Sequence, residues 1–134
     1  YETRTTGAAA KTREQLLQHQ GKKLVIARDE NGRSYQKHIL DVRDLVQAFR
    51  VAIGNRQSIG EIFQLAAPTP FLWETTIPYL AQALGVEYID LNLMEQTPIF
   101  YQFDLSKSRE QLSYQPQYDI FDTIDYALDC RPGS

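Results

Sequence analysis

Apolar positions in this chain occur either in short continuous runs, typical of strands, or at intervals of three to four residues, typical of helices. Both patterns meet in residues 38–53, where the short run His38–Leu40 leads into a helical spacing. That spacing is carried by Leu45, Ala48, Phe49, Ala52 and Ile53. Asp44, with Gln47 three residues later, fits an N-cap with a capping box, and Gly54-Asn55 fits a helix stop. The stretch predicts a strand followed by a helix, and the rest of the chain is arranged around it.

A β-hairpin is predicted immediately before this stretch. Leu24–Ala27 is a short run of strand-forming residues, and Arg33–Leu40 is the returning strand. Between them lies Asp29-Glu30-Asn31-Gly32, in which Asn-Gly supplies the positive φ angles of a tight turn. We therefore expect the two strands to pair directly with each other.

The remaining patterns predict four helices and two strands. The helices are Ala8–Gln20, a segment that begins between Leu72 and Thr75 and ends at Leu84, Asp104–Tyr114 and Asp119–Asp129. The strands are Glu61–Ala66 and Val86–Leu91. This alternation predicts an α/β or α+β fold with a small mixed sheet and about five helices. Residues 1–20 are expected to form an open end and a helix, residues 21–130 one domain, and residues 131–134 a frayed tail.

Composition places the chain among ordinary soluble globular proteins. Its 134 residues are 43% hydrophobic and 23% charged, which is sufficient for one domain with a core. No apolar run approaches the ~20 residues that span a membrane. The first ten residues also lack the charged and then apolar plan of a signal peptide. We therefore expect a cytoplasmic protein that does not bind a membrane.

The sequence contains no motif that would carry catalysis or bind a cofactor or metal. Cys130 is the only cysteine, and His19 and His38 stand far apart, so the three or four convergent ligands of a zinc site are not predicted. The glycines are isolated rather than clustered into a phosphate-binding loop. No Tyr is followed four residues later by Lys. Catalytic, cofactor-binding and metal-binding residues are therefore not predicted in this chain.

Charge is distributed unevenly along the chain. Residues 1–56 contain 11 Lys and Arg against 6 Asp and Glu, a net charge of +5, whereas residues 57–134 contain 3 against 11, a net charge of −8. The cations of the basic part are scattered and lack interleaved aromatic residues. This pattern favours a local phosphate contact over a nucleic-acid-binding surface.

The order of elements and two motifs resemble the C-terminal half of extended short-chain dehydrogenase/reductases. The stronger motif, DLSKSREQLSYQP at residues 104–116, is similar to the family pattern Asp-x-Ser-Lys-Ala-x-x-x-Leu-Gly-Trp/Tyr-x-Pro. The second motif is Val42-x-Asp44 at the strand-to-helix turn. The resemblance extends from about Gly21 to Leu128, and the family comprises NAD-dependent epimerases and dehydratases that act on nucleotide sugars.

The resemblance implies that residues 21–130 are the substrate-binding domain of such an enzyme. The family's Rossmann half carries the Gly-rich NAD turn and the catalytic Tyr-x-x-x-Lys, and neither motif occurs here. NAD(P) is therefore implied for the complete protein, whereas this chain is expected to bind no cofactor and to be inactive alone.

The resemblance also assigns provisional roles to individual residues. Lys37 occupies the place of an arginine that meets the substrate diphosphate, and Arg33 is the second candidate contact. Asp44, Asp104 and Lys107 are implied to be structural, with both aspartates at helix N-caps. The sequence departs from the family at Ser113, where the helix C-cap is usually glycine, and it has no cation in residues 97–103.

Two functional hypotheses remain open at this stage. One is the nucleotide-sugar-binding portion of an epimerase or dehydratase; the other is an autonomous, non-catalytic binding or assembly module derived from it. The helical stripe of Leu45, Phe49 and Ala52 is expected to face either the missing Rossmann half or a second copy of the chain. Nucleic-acid binding is disfavoured by the acidic second half.

Overall fold

The computed structural model describes residues 14, 17–18, 24–94 and 100–130 of the chain. These contain β1 (Leu24–Asp29), β2 (Gln36–Lys37), α1 (Val42–Ala52), a 3₁₀ helix (Arg56–Ser58), β3 (Phe71–Leu72), α2 (Trp73–Leu84), β4 (Tyr88–Met94), α3 (Ser106–Leu112) and α4 (Ile120–Asp129). The predicted mixed α/β class is confirmed. Of the predicted helix Ala8–Gln20, only Glu14, Leu17 and Gln18 are described, and all three are helical. The rest of that helix and the predicted tail, residues 131–134, lie outside the described residues.

The chain divides into two compact units. The first unit comprises Tyr1–Tyr35 and Trp73–Pro98, and the second comprises Gln36–Leu72 and Ile99–Ser134. Each unit is therefore assembled from two separate stretches of sequence, and the described residues of each unit contain one two-stranded sheet.

In the first unit, β1 pairs with β4 in parallel, with Leu24 opposite Tyr88 and Ala27 opposite Leu91. The predicted hairpin is therefore wrong, because β2 pairs not with β1 but antiparallel with β3. The chain does turn at Asp29, whose amide donates to the carbonyl of Arg33 at 3.0 Å, but no ladder follows. Parallel pairing with an apolar strand, covered by α2, has outweighed the local turn signal.

Arg28 connects three elements of the first unit. Its Nε lies 2.8 Å from both carboxylate oxygens of Asp90 on β4, and one terminal nitrogen donates to Glu74 on α2 at 2.5 Å. The same nitrogen also donates to the carbonyl of Gly32 at 2.9 Å. Hydrogen bonds to the two carboxylates raise the pKa of Arg28 above its ordinary value. The parallel pair and its covering helix are thus held by charge as well as by apolar packing.

Helix α2 begins at Trp73, within the predicted limits, and buries Thr76, Ile77 and Ala81. Pro78 is the sixth helical residue, so the bond that its missing amide would donate to the carbonyl four residues earlier is lost. The helix ends at Leu84, and Gly85 follows with φ +64°. That left-handed conformation explains why glycine stands at this position.

In the second unit, α1 is capped by Asp41 and not, as predicted, by Asp44. The Asp41 side chain accepts from the amide of Arg43 at 2.8 Å, so the helix begins at Val42. Asp44 lies in the first turn, where it is buried and accepts from the amides of Gln117 and Tyr118 at 2.9 and 3.0 Å. Both aspartates are chemically suited to cap a helix, and these distant amides explain why Asp44 does not. Its predicted structural role remains, but its partners are different.

The core of the second unit is centred on Ala48, Leu112 and Tyr114. Leu40, Val51, Ala52, Phe63 and Leu65 pack around these three residues. The Tyr114 hydroxyl donates to the carbonyl of Ala66 at 3.0 Å. Burial of the phenol, aided by the negative charge of Asp44, raises the pKa of Tyr114 to about 12. The hydroxyl therefore remains a neutral donor throughout the physiological pH range.

The predicted strand Glu61–Ala66 is wrong, because these residues belong to no sheet. Side chains and isolated backbone bonds hold the segment instead. Lys107 donates to Glu61 at 2.7 Å and to the carbonyl of Ile62 at 3.0 Å, while the amide of Ala67 donates to Ile39 at 2.7 Å. The sequence alternates as a strand does, but its backbone groups have no neighbouring strand as a partner.

The predicted cap of α4 is confirmed. Asp119 accepts from the amides of Phe121 and Asp122, and the Asp122 carboxylate accepts in return from the amide of Asp119 at 2.9 Å. This reciprocal pair is a capping box. Asp122 stands three residues after Asp119, as Asp44 does after Asp41, but its carboxylate bonds back to the cap residue and not to remote amides, so the local signal alone located the helix start.

Arg43 lies between two aromatic rings and a carboxylate. Its guanidinium carbon is 3.7 Å from the ring centroid of Tyr118 and 4.5 Å from that of Tyr126. Its nitrogens donate to both oxygens of Asp41 at 2.9 Å, and the Thr123 hydroxyl donates to Asp41 at 2.8 Å. The hydrogen bond from the Arg43 side chain is the main reason that the pKa of Asp41 lies well below its usual range.

Asp41→Asn is expected to destabilise the protein by roughly 1–3 kcal/mol at pH 7, because asparagine keeps a cap acceptor but loses the charge. Since folding lowers the pKa of Asp41, the wild-type carboxylate stabilises the fold above its unfolded pKa of about 3.9 and loses that contribution as the pH falls. Urea unfolding at pH 7, 5 and 3 should therefore show that the difference in the free energy of unfolding between the wild type and Asp41→Asn becomes smaller as the pH falls. A difference that is constant with pH would contradict this role.

Ser113→Gly is expected to stabilise the protein. Ser113 has φ +58° at the C-cap of α3, a conformation that costs a non-glycine residue about 1–2 kcal/mol. Glycine adds roughly 0.5–1 kcal/mol of unfolded-state entropy, which leaves a net gain of about 0.5–1 kcal/mol. The matched control is Gly85→Ser, which has open space around the added atom and should produce a loss. A change in the thermal unfolding midpoint that has the same sign for both variants would contradict this explanation.

Candidate functional site

The candidate site lies in the second unit, where residues 100–105 run beside β2. The side-chain amide of Gln36 donates to the carbonyl of Tyr101 at 3.0 Å. Two residues further along each segment, the amide of Phe103 donates to Nδ1 of His38 at 3.0 Å. Side chains therefore hold a segment that has no regular secondary structure of its own.

His38 has a structural position in this site. The ring is 4% exposed, and its Nε2 lies 2.8 Å from the carbonyl of Ala67. Because Nδ1 accepts from Phe103, the ring proton belongs on Nε2, which then donates to that carbonyl. The ring also stacks on Phe103, with centroids 5.7 Å apart and planes 18° apart. Both ring nitrogens are therefore engaged in hydrogen bonds to the backbone.

A cavity of about 420 Å³ opens beside this stacked pair. It is lined by His38, Pro68, Gln102, Phe103, Asp104, Leu105, Ser106 and Arg109. The volume falls within the range of about 300–1,000 Å³ found for small-molecule sites. Five of these eight side chains are polar or charged, so the cavity is suited to a polar ligand.

Asp104 and Arg109 supply the charges of this cavity. Asp104 is not the N-cap residue itself, because α3 is capped by Leu105. Its Oδ1 accepts from the amide of Ser106 at 2.9 Å and from the Ser106 hydroxyl at 2.6 Å. Those two bonds, and then the charge of Arg109, lower the pKa of Asp104. The carboxylate therefore satisfies the start of the helix, as predicted in substance, while also facing the cavity.

Lys37, the first predicted phosphate contact, lies on β2 with its ammonium 5.5 Å from the ring centroid of Tyr101. Tyr101 in turn packs against Phe103 at 5.2 Å with the rings tilted by 53°. An ammonium held over a π face keeps its charge and its N–H donors. A phosphate contact at Lys37 remains a prediction.

Arg33, the second predicted contact, belongs to the first unit and is bound to Asp29. Its Nε donates to Asp29 at 2.8 Å, and a terminal nitrogen lies 2.7 Å from the same oxygen. Burial acts to raise the pKa of Asp29, but hydrogen bonds from Arg33 and the amide of Asn31 outweigh it and lower the pKa. The guanidinium is thus largely satisfied, and a phosphate contact there also remains a prediction.

The two other residues implied to be structural lie away from the cavity. Asp44 accepts from the backbone amides of Gln117 and Tyr118, and Lys107 contacts Glu61 and the ring of Phe63.

Sequence reasoning missed Arg109 and the role of His38. Arg109 was detectable in principle, because it stands three residues after Ser106 and so shares a face of the predicted helix. His38 offered no signal, since its partners are remote in sequence.

The described residues do not fit a dinucleotide cofactor. A pyrophosphate cradle needs closely spaced glycines at a strand-to-helix turn. The glycines with positive φ instead occupy four separate turns: Gly32, Gly54, Gly60 and Gly85. Within the described ranges, no three His, Cys, Asp or Glu residues are grouped to hold a metal ion. Nor does any described helix have the length and apolar character needed to cross a membrane.

Comparison with solved structures identifies the fold. A short-chain dehydrogenase/reductase superfamily protein from Agrobacterium tumefaciens, with bound NAD, superposes with a TM-score of 0.74 at 23% identity over 90% of this chain. UDP-glucuronic acid 4-epimerase from Bacillus cereus, in complex with UDP-glucuronic acid and NAD, gives a TM-score of 0.62 at 18% identity over 93% of this chain. dTDP-glucose 4,6-dehydratase from Bacillus anthracis, in complex with NAD, gives a TM-score of 0.60 at 16% identity over 91% of this chain.

The chain spans only 37–39% of the length of these three proteins. No protein-family model matches the chain, and no curated protein matches it in sequence. The chain therefore has part of the fold of short-chain dehydrogenase/reductases, which confirms at the level of fold the resemblance read from residues 42–44 and 104–116.

Proposed function

We propose that this chain is the nucleotide-sugar-binding portion of an NAD-dependent sugar epimerase or dehydratase, with the cofactor and catalytic half lying outside these residues. The observation that carries the proposal is the fold match over 90% of this chain but 37% of the Agrobacterium protein. Two further neighbours act on nucleotide sugars by name, and one of them was solved with UDP-glucuronic acid bound. The lack of a glycine cradle among the described residues fits a division in which NAD(P) is held elsewhere.

Lys37 is proposed to contact the substrate phosphate. The support is its place at the strand before α1 and the packing of its ammonium over Tyr101. A lysine neutralises a phosphate as a point charge and lacks the bidentate geometry of arginine. Affinity is therefore expected to depend on charge more than on the orientation of the phosphate.

The exposed face of α1 supports a missing partner half. Its apolar residues recur at intervals of four, three and four along the helix: Val42, Val46, Phe49 and Ile53. They are 52–80% exposed. We call this set the α1 face. Of the predicted stripe, Phe49 belongs to it, whereas Leu45 and Ala52 are half-buried, since Ala52 packs on the core. An apolar stripe of this kind is typical of a surface that another protein segment covers.

UDP-glucuronic acid is expected to bind the chain, and Lys37→Gln should weaken binding by about tenfold through loss of one charge-assisted contact. Titration calorimetry measures both affinities. Arg56→Gln is the control, because Arg56 is an exposed cation on the 3₁₀ helix of the same unit. Equal losses for the two variants would indicate general charge attraction and contradict the assigned contact.

The α1 face is expected to make the chain self-associate when it is produced without a cofactor half. Phe49→Ser should shift the population towards monomer, as measured by light scattering across a concentration series. The control is Ile62→Ser, which removes an apolar side chain that is 88% exposed and lies outside α1. A strictly monomeric wild-type chain would contradict the proposal. Self-association that is retained when a cofactor half is supplied would favour the second hypothesis, an autonomous assembly module.

A further inference from the structure

We propose that the cavity beside His38 and Phe103 binds a sugar bearing one anionic group, with Arg109 holding the anion. The ligand class is a monosaccharide phosphate or a sugar carboxylate. This site is distinct from the contact assigned to Lys37 and does not depend on the proposed nucleotide-sugar function. It rests on the charge, the lining and the size of the cavity.

Arg109 supplies an unsatisfied positive charge. It is an exposed side chain of α3 and lines the cavity. Among the described residues, its guanidinium makes no hydrogen bond or ion pair, although its charge helps to lower the pKa of Asp104. Three other arginines, Arg28, Arg33 and Arg43, are each bound to carboxylates. A guanidinium with free donors on a concave surface is suited to a planar or tetrahedral oxyanion.

Asp104 makes a bare anion a poor ligand. Its Oδ1 is held by Ser106, which fixes the carboxylate at the cavity wall. A second negative charge beside this carboxylate would be repelled, whereas a hydroxyl group can donate a hydrogen bond to it. The ligand must therefore carry hydroxyl groups as well as an anion, and a sugar acid or sugar phosphate provides both.

An aromatic ring forms part of the remaining wall and is held in position. Phe103 is 36% exposed and stacked on His38, whose two nitrogens are engaged by Ala67 and the amide of Phe103. An aromatic surface of this kind packs well against the C–H face of a sugar ring. The volume of about 420 Å³ lies near the lower end of the range for ligand sites, which fits one sugar ring better than a dinucleotide.

The test compares four probes: glucose 6-phosphate, glucuronate, glucose and inorganic phosphate. Each is titrated into the whole 134-residue chain, with amide NMR shifts of Phe103 and Ser106 as the readout. We expect saturable shifts with at least one of the two anionic sugars, and the tighter of them identifies the anion. Glucose and inorganic phosphate should each bind about tenfold more weakly or worse. Binding of phosphate as tight as that of the sugars would overturn the argument from Asp104, and no saturable shift at millimolar concentration would overturn the site.

Variants then test the anchor. Arg109→Gln should weaken binding of the anionic sugar by about tenfold or more, since a charge-assisted hydrogen bond is lost, and Arg109→Lys should retain part of the affinity. Arg50→Gln on α1 is the matched control. The Arg109 guanidinium has no hydrogen-bond or ion-pair partner among the described residues, and only its charge acts on Asp104, so its replacement should change the thermal unfolding midpoint only slightly. Unaltered affinity in Arg109→Gln would refute the proposal.

Lys37→Gln separates this site from the proposed function. This substitution should leave the affinity for the anionic sugar unchanged but weaken the binding of UDP-glucuronic acid. Loss of both ligands in Lys37→Gln, together with no effect of Arg109→Gln, would show that one site accounts for all the binding and would overturn the separate cavity site.

Discussion

The buried carboxylate of Asp44 is the constraint on which the second unit depends. It accepts from the amides of Gln117 and Tyr118, which no helix or ladder satisfies, and it is 1% exposed. A buried carboxylate without partners is costly, so these bonds fix the chain that follows α3 against α1. Gln47, one turn later, binds both backbone groups of Gln115 and extends the same attachment. Tyr114, just before this segment, is thereby placed in the core, where its hydroxyl reaches Ala66.

The choice between Asp41 and Asp44 as the cap of α1 illustrates which features of the fold could be predicted from the sequence. Signals that depend on neighbouring residues were read correctly: the capping box at Asp119, the start of α2 and the stop at Gly54. Asp41 and Asp44 are both plausible caps, and only amides more than 70 positions away decide between them. Strand pairing failed for the same reason. The Asn31-Gly32 turn is a real local signal, but the partner of β1 lies beyond α2, and periodicity does not reveal which strands meet.

The candidate site was predictable only in part. Lys37 was named because of a family resemblance, and Asp104 because a helix start needs an acceptor. The cavity itself arises where residues 100–105, which have no period, are tied to Gln36 and His38 by side-chain bonds. These bonds join residues that are remote in sequence, so a sequence pattern does not predict them. The stacking of the His38 ring and the unpaired guanidinium of Arg109 can therefore be recognised only in the folded structure.

Fold similarity at 23% identity or less does not determine chemistry, so the function of the chain depends on what each cation is able to hold. The ammonium of Lys37 lies 5.5 Å from the ring centroid of Tyr101, and we propose that it contacts the diphosphate of the substrate. Arg109 instead stands near the carboxylate of Asp104, which lowers the local positive potential and disfavours a highly charged ligand. We therefore propose different anions for the two cations: a diphosphate at Lys37, and a single anionic group surrounded by hydroxyls at Arg109.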